Sequence, residues 1–215
     1  MILKWLRYVV FYRKIMLSIN KIFYWSFSAF LYDESNERFY TFTKIKMPET
    51  ALIVINMQNA WIEKDSEYFL WNLDTMIEKT NYLIAYAREM GYKIIFINHH
   101  EPEGAFALDN PLSDFIPELS VDKDDTVINK FKVSSFYNTK LESELVGIRN
   151  LVVCWALTNL CVRMFVEEAY DREFRIALID DLTVAYTDDI HDQTLQDLAD
   201  TRTELSILSL ENFVG

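Results

Sequence analysis

Residues 151–168 read LVVCWALTNLCVRMFVEE, and the class of fold turns on the change of pattern inside this stretch. Leu151, Val152, Val153, Cys154 and Trp155 form an apolar run with the length and composition of a buried strand. Thr158 and Asn159 then offer side chains suited to capping a helix. Cys161 falls in the first turn of that helix, where free backbone N–H groups and the positive end of the helix dipole favour a thiolate. A strand, a sharp turn and a cysteine at a helix N-terminus make a platform for a nucleophile. A lone cysteine is also a small hydrophobe that packs well in a core, and the stretch by itself leaves both readings open.

The same alternation extends outward in both directions. Residues 51–55 (ALIVI) are continuously apolar, as in a strand covered on both faces. Residues 93–97, 126–129, 175–179 and 205–208 supply further strand segments. Residues 72–90 carry Leu73, Met76, Ile77, Leu83, Ile84 and Ala87 near helical spacing, with Gly91 as the stop. Residues 139–146, 159–171 and 191–200 are the other helices. Strands alternating with helices predict an α/β fold, a Rossmann-like three-layer α/β/α arrangement around a six-stranded parallel sheet joined by right-handed crossovers. Ligands of such sheets sit beyond the carboxyl ends of the strands, near the reversal of strand order. Asn56, Lys130 and Cys161 follow the first, third and fourth strands and converge there. The segment 98–125, with Pro102, Gly104, Pro111 and Pro117, reads as a long loop of the kind that lines a site.

Composition narrows the function. The net charge of −12 conceals an asymmetry, for residues 1–46 hold eight Lys/Arg against three acids. The acidic remainder repels phosphate backbones, so no nucleic acid partner is expected. No glycine-rich phosphate loop occupies a strand-to-helix turn, and no cofactor is expected. Two cysteines, seven residues apart, form no disulfide framework and suit a reducing compartment, the cytoplasm. With three histidines and neither CxxC nor HExxH, no metal site is expected. The domain pattern opens at Met47, so residues 47–215 are read as the domain and 1–46 as an N-terminal extension. Within it, residues 15–32 are mostly apolar behind basic residues, a marginal membrane anchor or interfacial helix. Membrane association is expected only if residues 1–32 are retained; the extension is otherwise dispensable.

Three segments resemble the isochorismatase-like cysteine hydrolases. ALIVINMQNAW is similar to their opening strand, an apolar run followed by Asp-Met-Gln-Asn. NKFKVSSFYNTKLESEL resembles their lysine segment through Lys130, Ser134, Ser135, Phe136, Thr139 and Leu141. CWALTNLCVRMFVEEAYDREFRIALIDD resembles their cysteine segment, with Thr-Asn-x-Cys-Val and a following strand that ends in Asp. The likeness runs from about Thr50 to Leu210.

This resemblance implies a six-stranded parallel sheet and a Cys–Asp–Lys catalytic set, here Cys161 as nucleophile and Lys130 as its cationic partner. The aspartate position falls on Asn56. An amide cannot accept a proton at neutral pH, so the alternative to a working hydrolase is a small-molecule-binding protein of the same fold. The resemblance further implies a cis peptide between Ala156 and Leu157, and an oxyanion hole from the backbone N–H groups of Leu157 and Cys161. Trp155 and Leu157 are bulkier than the residues they replace, which predicts a narrower, more apolar pocket or a reshaped loop. His100, followed by Glu101, resembles a pocket-lining His-Glu of one branch of the family, and Trp61 and Phe136 are candidate pocket walls. The metal-binding Asp-x-His spacing of some relatives is absent here. The implied substrate is a small molecule with an amide or related C–N bond, and the implied assembly is a homo-oligomer.

Overall fold

A computed structural model describes residues 30–33, 38–41 and 49–215. The chain divides into two units, Met1–Met47 and Pro48–Gly215. In the first, β1 (Phe30–Asp33) and β2 (Arg38–Thr41) pair antiparallel, with Phe30 opposite Thr41 and Asp33 opposite Arg38. Residues 30–32, the end of the apolar segment considered as a membrane helix, are therefore strand. The rest of that segment, and the anchoring expectation with it, lies outside the described residues. Among the described residues no helix is long and apolar enough to cross a membrane.

The second unit is built on one sheet. Its strands are β3 (Glu49–Ile55), β4 (Lys93–His99), β5 (Thr126–Lys130), β6 (Ile148–Ala156), β7 (Arg175–Val184) and β8 (Leu205–Leu208). They lie in the order β5-β4-β3-β6-β7-β8, with every neighbouring pair parallel. The order reverses between β3 and β6, so the crevice that receives ligands in such sheets opens where Asn56 and the Cys161 turn leave these strands.

The continuous apolar runs follow from burial on both faces. Leu52, Val54, Ile94 and Phe96 point into one core layer. Ala51, Ile53, Ile55, Ile95 and Ile97 point into the other. The first layer is closed by α1 (Asp74–Glu89) and α5 (Leu210–Val214), the second by α2 (Leu141–Glu144), α3 (Arg163–Tyr170) and α4 (Asp188–Thr201). Helix α1 buries Met76, Ile77, Thr80, Leu83, Ile84 and Ala87 along one stripe. Beyond its last turn stands Gly91, whose φ of 70° lets the Tyr92 N–H turn back to the Ala87 carbonyl at 2.8 Å.

Several boundaries differ from the sequence reading, each for a local reason. The segment 139–146 yields only the single turn of α2, where Thr139 Oγ1 receives the Leu141 N–H. Helix α4 begins at Asp188 because the Thr187 side chain caps the Ile190 N–H. Ser209 does the same for Asn212 and starts α5, a helix absent from the sequence reading. Strand β7 continues past Asp180 and Asp181 to Val184, with a register shift against β6.

Trp155 stands at the end of β6 with φ of 96°, a conformation that costs a non-glycine residue about 1–3 kcal/mol. Its fully buried side chain belongs to the α1 layer, and its indole Nε1 donates to Thr80 Oγ1 at 3.2 Å. Cys161 belongs to the opposite layer, so the bulk of Trp155 is taken up beneath α1 and does not narrow the cysteine side of the sheet. Thr80→Val leaves the indole N–H buried without an acceptor, and a loss of about 1–3 kcal/mol is expected from the urea midpoint. Thr80→Ser, which keeps the hydroxyl, is expected to lose less.

Candidate active site

Strands β4 and β5 pair in register, so that His99 lies directly opposite Lys130. Alternation along β4 puts His99 on the face of Ile95 and Ile97, and along β5 it puts Lys130 on the face of Ile128. The turn after β6 lays Cys161 over that same face. Lys130 is fully buried, and its Nζ donates to Cys161 Sγ at 3.1 Å and to the Lys132 carbonyl at 3.0 Å. A third contact reaches His99 Nδ1 at 3.3 Å. Burial lowers the proton affinity of Lys130 below that of an ordinary lysine, and the neighbouring Cys161 opposes that shift.

His99 extends the chain of contacts to Glu101, whose Oε1 lies 3.2 Å from His99 Nε2. Burial lowers the imidazole's proton affinity, Lys130 lowers it further, and Glu101 works against both. The backbone of His99 is pinned by Gln58, which accepts the His99 N–H at 2.9 Å and donates to its carbonyl at 2.9 Å. The same Gln58 amide donates to the Ser113 carbonyl at 2.7 Å and so ties the long 98–125 loop to the sheet end.

Cys161, 8% exposed, sits in a π turn, Thr158–Val162, that precedes α3. The expected arrangement had Thr158 and Asn159 capping a continuous helix over 159–171. Instead Thr158 Oγ1 is hydrogen-bonded to His191 Nδ1 on α4 at 2.8 Å, and the turn closes through Leu160 and Val162 N–H groups on the Leu157 carbonyl, both at 3.1 Å. Asn159 Oδ1 is buried without a partner. The Ala156–Leu157 peptide entering the turn is cis.

Asn56 leaves β3 with φ of 58°, a left-handed conformation that asparagine tolerates. Its Nδ2 donates to the Ala156 carbonyl at 3.0 Å, which fixes which way the amide faces. Its Oδ1 is thereby left buried and without a partner. Neither Lys130 nor Cys161 is among its hydrogen-bond partners.

The remaining candidates divide. His100 alternates to the other side of β4, hydrogen-bonds the Phe106 carbonyl at 3.3 Å through Nδ1, and lies near the Phe131 ring. Trp61 donates to the Asn56 carbonyl at 2.6 Å and packs on Phe106, whose ring also meets that of His99 at 5.5 Å. Phe136 has Phe165 stacked on its ring and the Arg172 guanidinium 4.2 Å from its centre, so it is packed against α3. The structure thus brings together Lys130, Cys161 and His99, with Asn56 and Leu157 at the adjoining strand ends. His99 and Gln58 carried no assignment from sequence. Strand parity alone, with β4 extended through His99, selects His99 over His100 for the Lys130 side. Among the described residues no three His, Cys, Asp or Glu side chains gather in a way that could hold a metal ion.

Comparison with known proteins bears on this arrangement. The isochorismatase domain family matches residues 50–206. Nicotinamidase 3 of Arabidopsis thaliana is 28% identical over 166 residues, covering 69% of this chain and 80% of its own. A ureidoacrylate amidohydrolase of Stutzerimonas stutzeri is 26% identical over 176 residues, covering 65% and 71%. Among solved structures, N-carbamoylsarcosine amidase from Thermoplasma acidophilum has the same fold, with a TM-score of 0.68 at 20% identity over 78% of this chain and 99% of that one.

Proposed function

The chain belongs to the isochorismatase family, and within it we propose a hydrolase that cleaves the C–N bond of a small amide through a covalent intermediate on Cys161. The observation that carries this reading is the 3.1 Å contact between Lys130 Nζ and Cys161 Sγ at a lysine wholly removed from water. A buried ammonium against a thiol favours the thiolate, the nucleophilic form. The thiolate attacks the amide carbon, and the N–H groups of Leu157 and Cys161 receive the oxyanion. Lys130 gives a proton to the departing nitrogen, the C–N bond breaks, and a thioester and an amine or ammonia result. Neutral Lys130 then takes a proton from water as it attacks the thioester, and the acid product leaves thiolate and ammonium restored. Burial, by loosening the lysine's proton, suits it to both roles.

Asn56 enters as an acceptor and not as a base. Its unpaired Oδ1 suits a substrate N–H or the attacking water. The names of the amide-hydrolysing relatives agree with this substrate class. Two free thiols agree with a reducing, cytoplasmic setting.

Alkylation tests the nucleophile directly. Cys154 is fully buried and burial pushes its thiol up, so it reacts slowly. With iodoacetamide at pH 7, Cys161 is expected to react at least about 10-fold faster than Cys154. Intact-mass analysis during turnover of a primary-amide panel should show an acyl adduct on Cys161. An inert Cys161 and no adduct would leave the small-molecule-binding reading in its place.

A further inference from the structure

We propose that His99 and Glu101 are positioning residues for Lys130, supplying from the end of β4 the carboxylate that position 56 lacks. The proposal deepens the reading of Lys130 and Cys161 as the reacting pair. Four groups form an unbroken chain: Cys161 Sγ to Lys130 Nζ at 3.1 Å, Nζ to His99 Nδ1 at 3.3 Å, and His99 Nε2 to Glu101 Oε1 at 3.2 Å.

The donors and acceptors along this chain are consistent with one protonation pattern. An ammonium has three hydrogens and no acceptor. Lys132 O, Cys161 Sγ and His99 Nδ1 are three acceptors for them. Acceptance at Nδ1 requires the tautomer with its hydrogen on Nε2, and Glu101 Oε1 is placed to receive that hydrogen. The imidazole is held on both sides, its backbone by Gln58 and its ring by Phe106. Glu101 therefore favours positive charge on Lys130 through a fixed bridge. Removal of the carboxylate lowers the lysine's hold on its proton.

The charged and titratable groups around Lys130 and His99 come from three elements. Cys161 faces Lys130 from the turn after β6, and His99, His100 and Glu101 belong to β4 and its end. Tyr68, in the loop after β3, feels the Glu101 charge. Glu101 keeps 45% of its side chain exposed, so its replacement by glutamine is compatible with folding.

The full chain labelled with ¹⁵N-histidine provides the first readout. Its three histidines are assignable with His99→Gln and His100→Gln. At pH 7 His99 is expected to carry its proton on Nε2 and none on Nδ1. The second readout is Cys161 alkylation by iodoacetamide against pH. An upper step in the rate is expected where Lys130 loses its proton and no longer damps the nucleophilicity of the neighbouring sulfur. Glu101→Gln is expected to move the upper step down by about one pH unit with the thermal midpoint held. A His99 proton on Nδ1, or an upper step absent or unmoved by Glu101→Gln, overturns the proposal. A protein that passes both tests yet hydrolyses no amide refutes the amidohydrolase reading alone.

Discussion

Lys130→Met is expected to lower kcat/KM on small amides by about 10²–10⁴-fold while leaving stability within about 2 kcal/mol of wild type. Methionine fills much the same buried volume, so no large cavity opens at a residue with no exposure. The substitution removes the cost of holding a cation away from water. It also strips a donor from the Lys132 carbonyl and from His99 Nδ1, and these effects oppose each other. Without the ammonium, Cys161 Sγ has no cation to favour the thiolate, and a neutral thiol leaves no unpaired charge behind. On the proposed mechanism, catalysis loses both the support for a thiolate and the proton donor for the departing nitrogen. Lys130→Arg separates these roles. It keeps the positive charge, but a guanidinium does not give up its proton, and its planar fork does not match three acceptors arranged around one nitrogen. Turnover by Lys130→Arg near the wild-type rate would show that charge alone is needed. Loss comparable to that of Lys130→Met shows that positive charge at this position does not suffice.

What could be read from the sequence depended on whether local pattern or distant partners decide the structure. β3, β4 and β6 are legible because both faces of each are buried, which writes a continuous apolar run into the chain. Helix α1 is legible because its buried stripe is long. Helix α5, five residues docked through Leu210, is too short to show a period. In the site, Lys130 and Cys161 stand out through the family's spacing. The partner of Lys130 does not, because the apolar run that marks the second strand ends at Ile97. Two further residues carry the alternation to His99, on the face of Ile95 and Ile97, and put His100 on the other. The Thr158 cap failed for a different reason: His191, on a helix 33 residues later, takes the hydroxyl. No window around Thr158 contains that competitor. Trp155 is a third case, since Thr80 and the α1 layer, distant in sequence, absorb its bulk.

Asn56→Asp is expected to raise kcat on a responsive amide by about 10²-fold, the lower end of what a positioned base contributes. The backbone is no obstacle, for aspartate tolerates the left-handed conformation at φ 58° about as well as asparagine. The obstacle is the Ala156 carbonyl, 3.0 Å from Asn56 Nδ2. A carboxylate has no hydrogen to offer there, so a stability loss of about 1–3 kcal/mol is expected from the thermal or urea midpoint. It also adds negative charge to a strand-end crevice that holds Lys130. That charge strengthens the lysine's hold on its proton, so the upper alkylation step of Cys161 should move to higher pH. This is the opposite of the shift expected for Glu101→Gln, and the double variant should return the step toward its wild-type position. A gain in kcat with an upward shift identifies Asn56 as the substitution that slows this enzyme. An upward shift without a gain in kcat means that Lys130, held by His99 and Glu101, already performs the proton transfers, and that the chemistry at position 56 does not limit turnover.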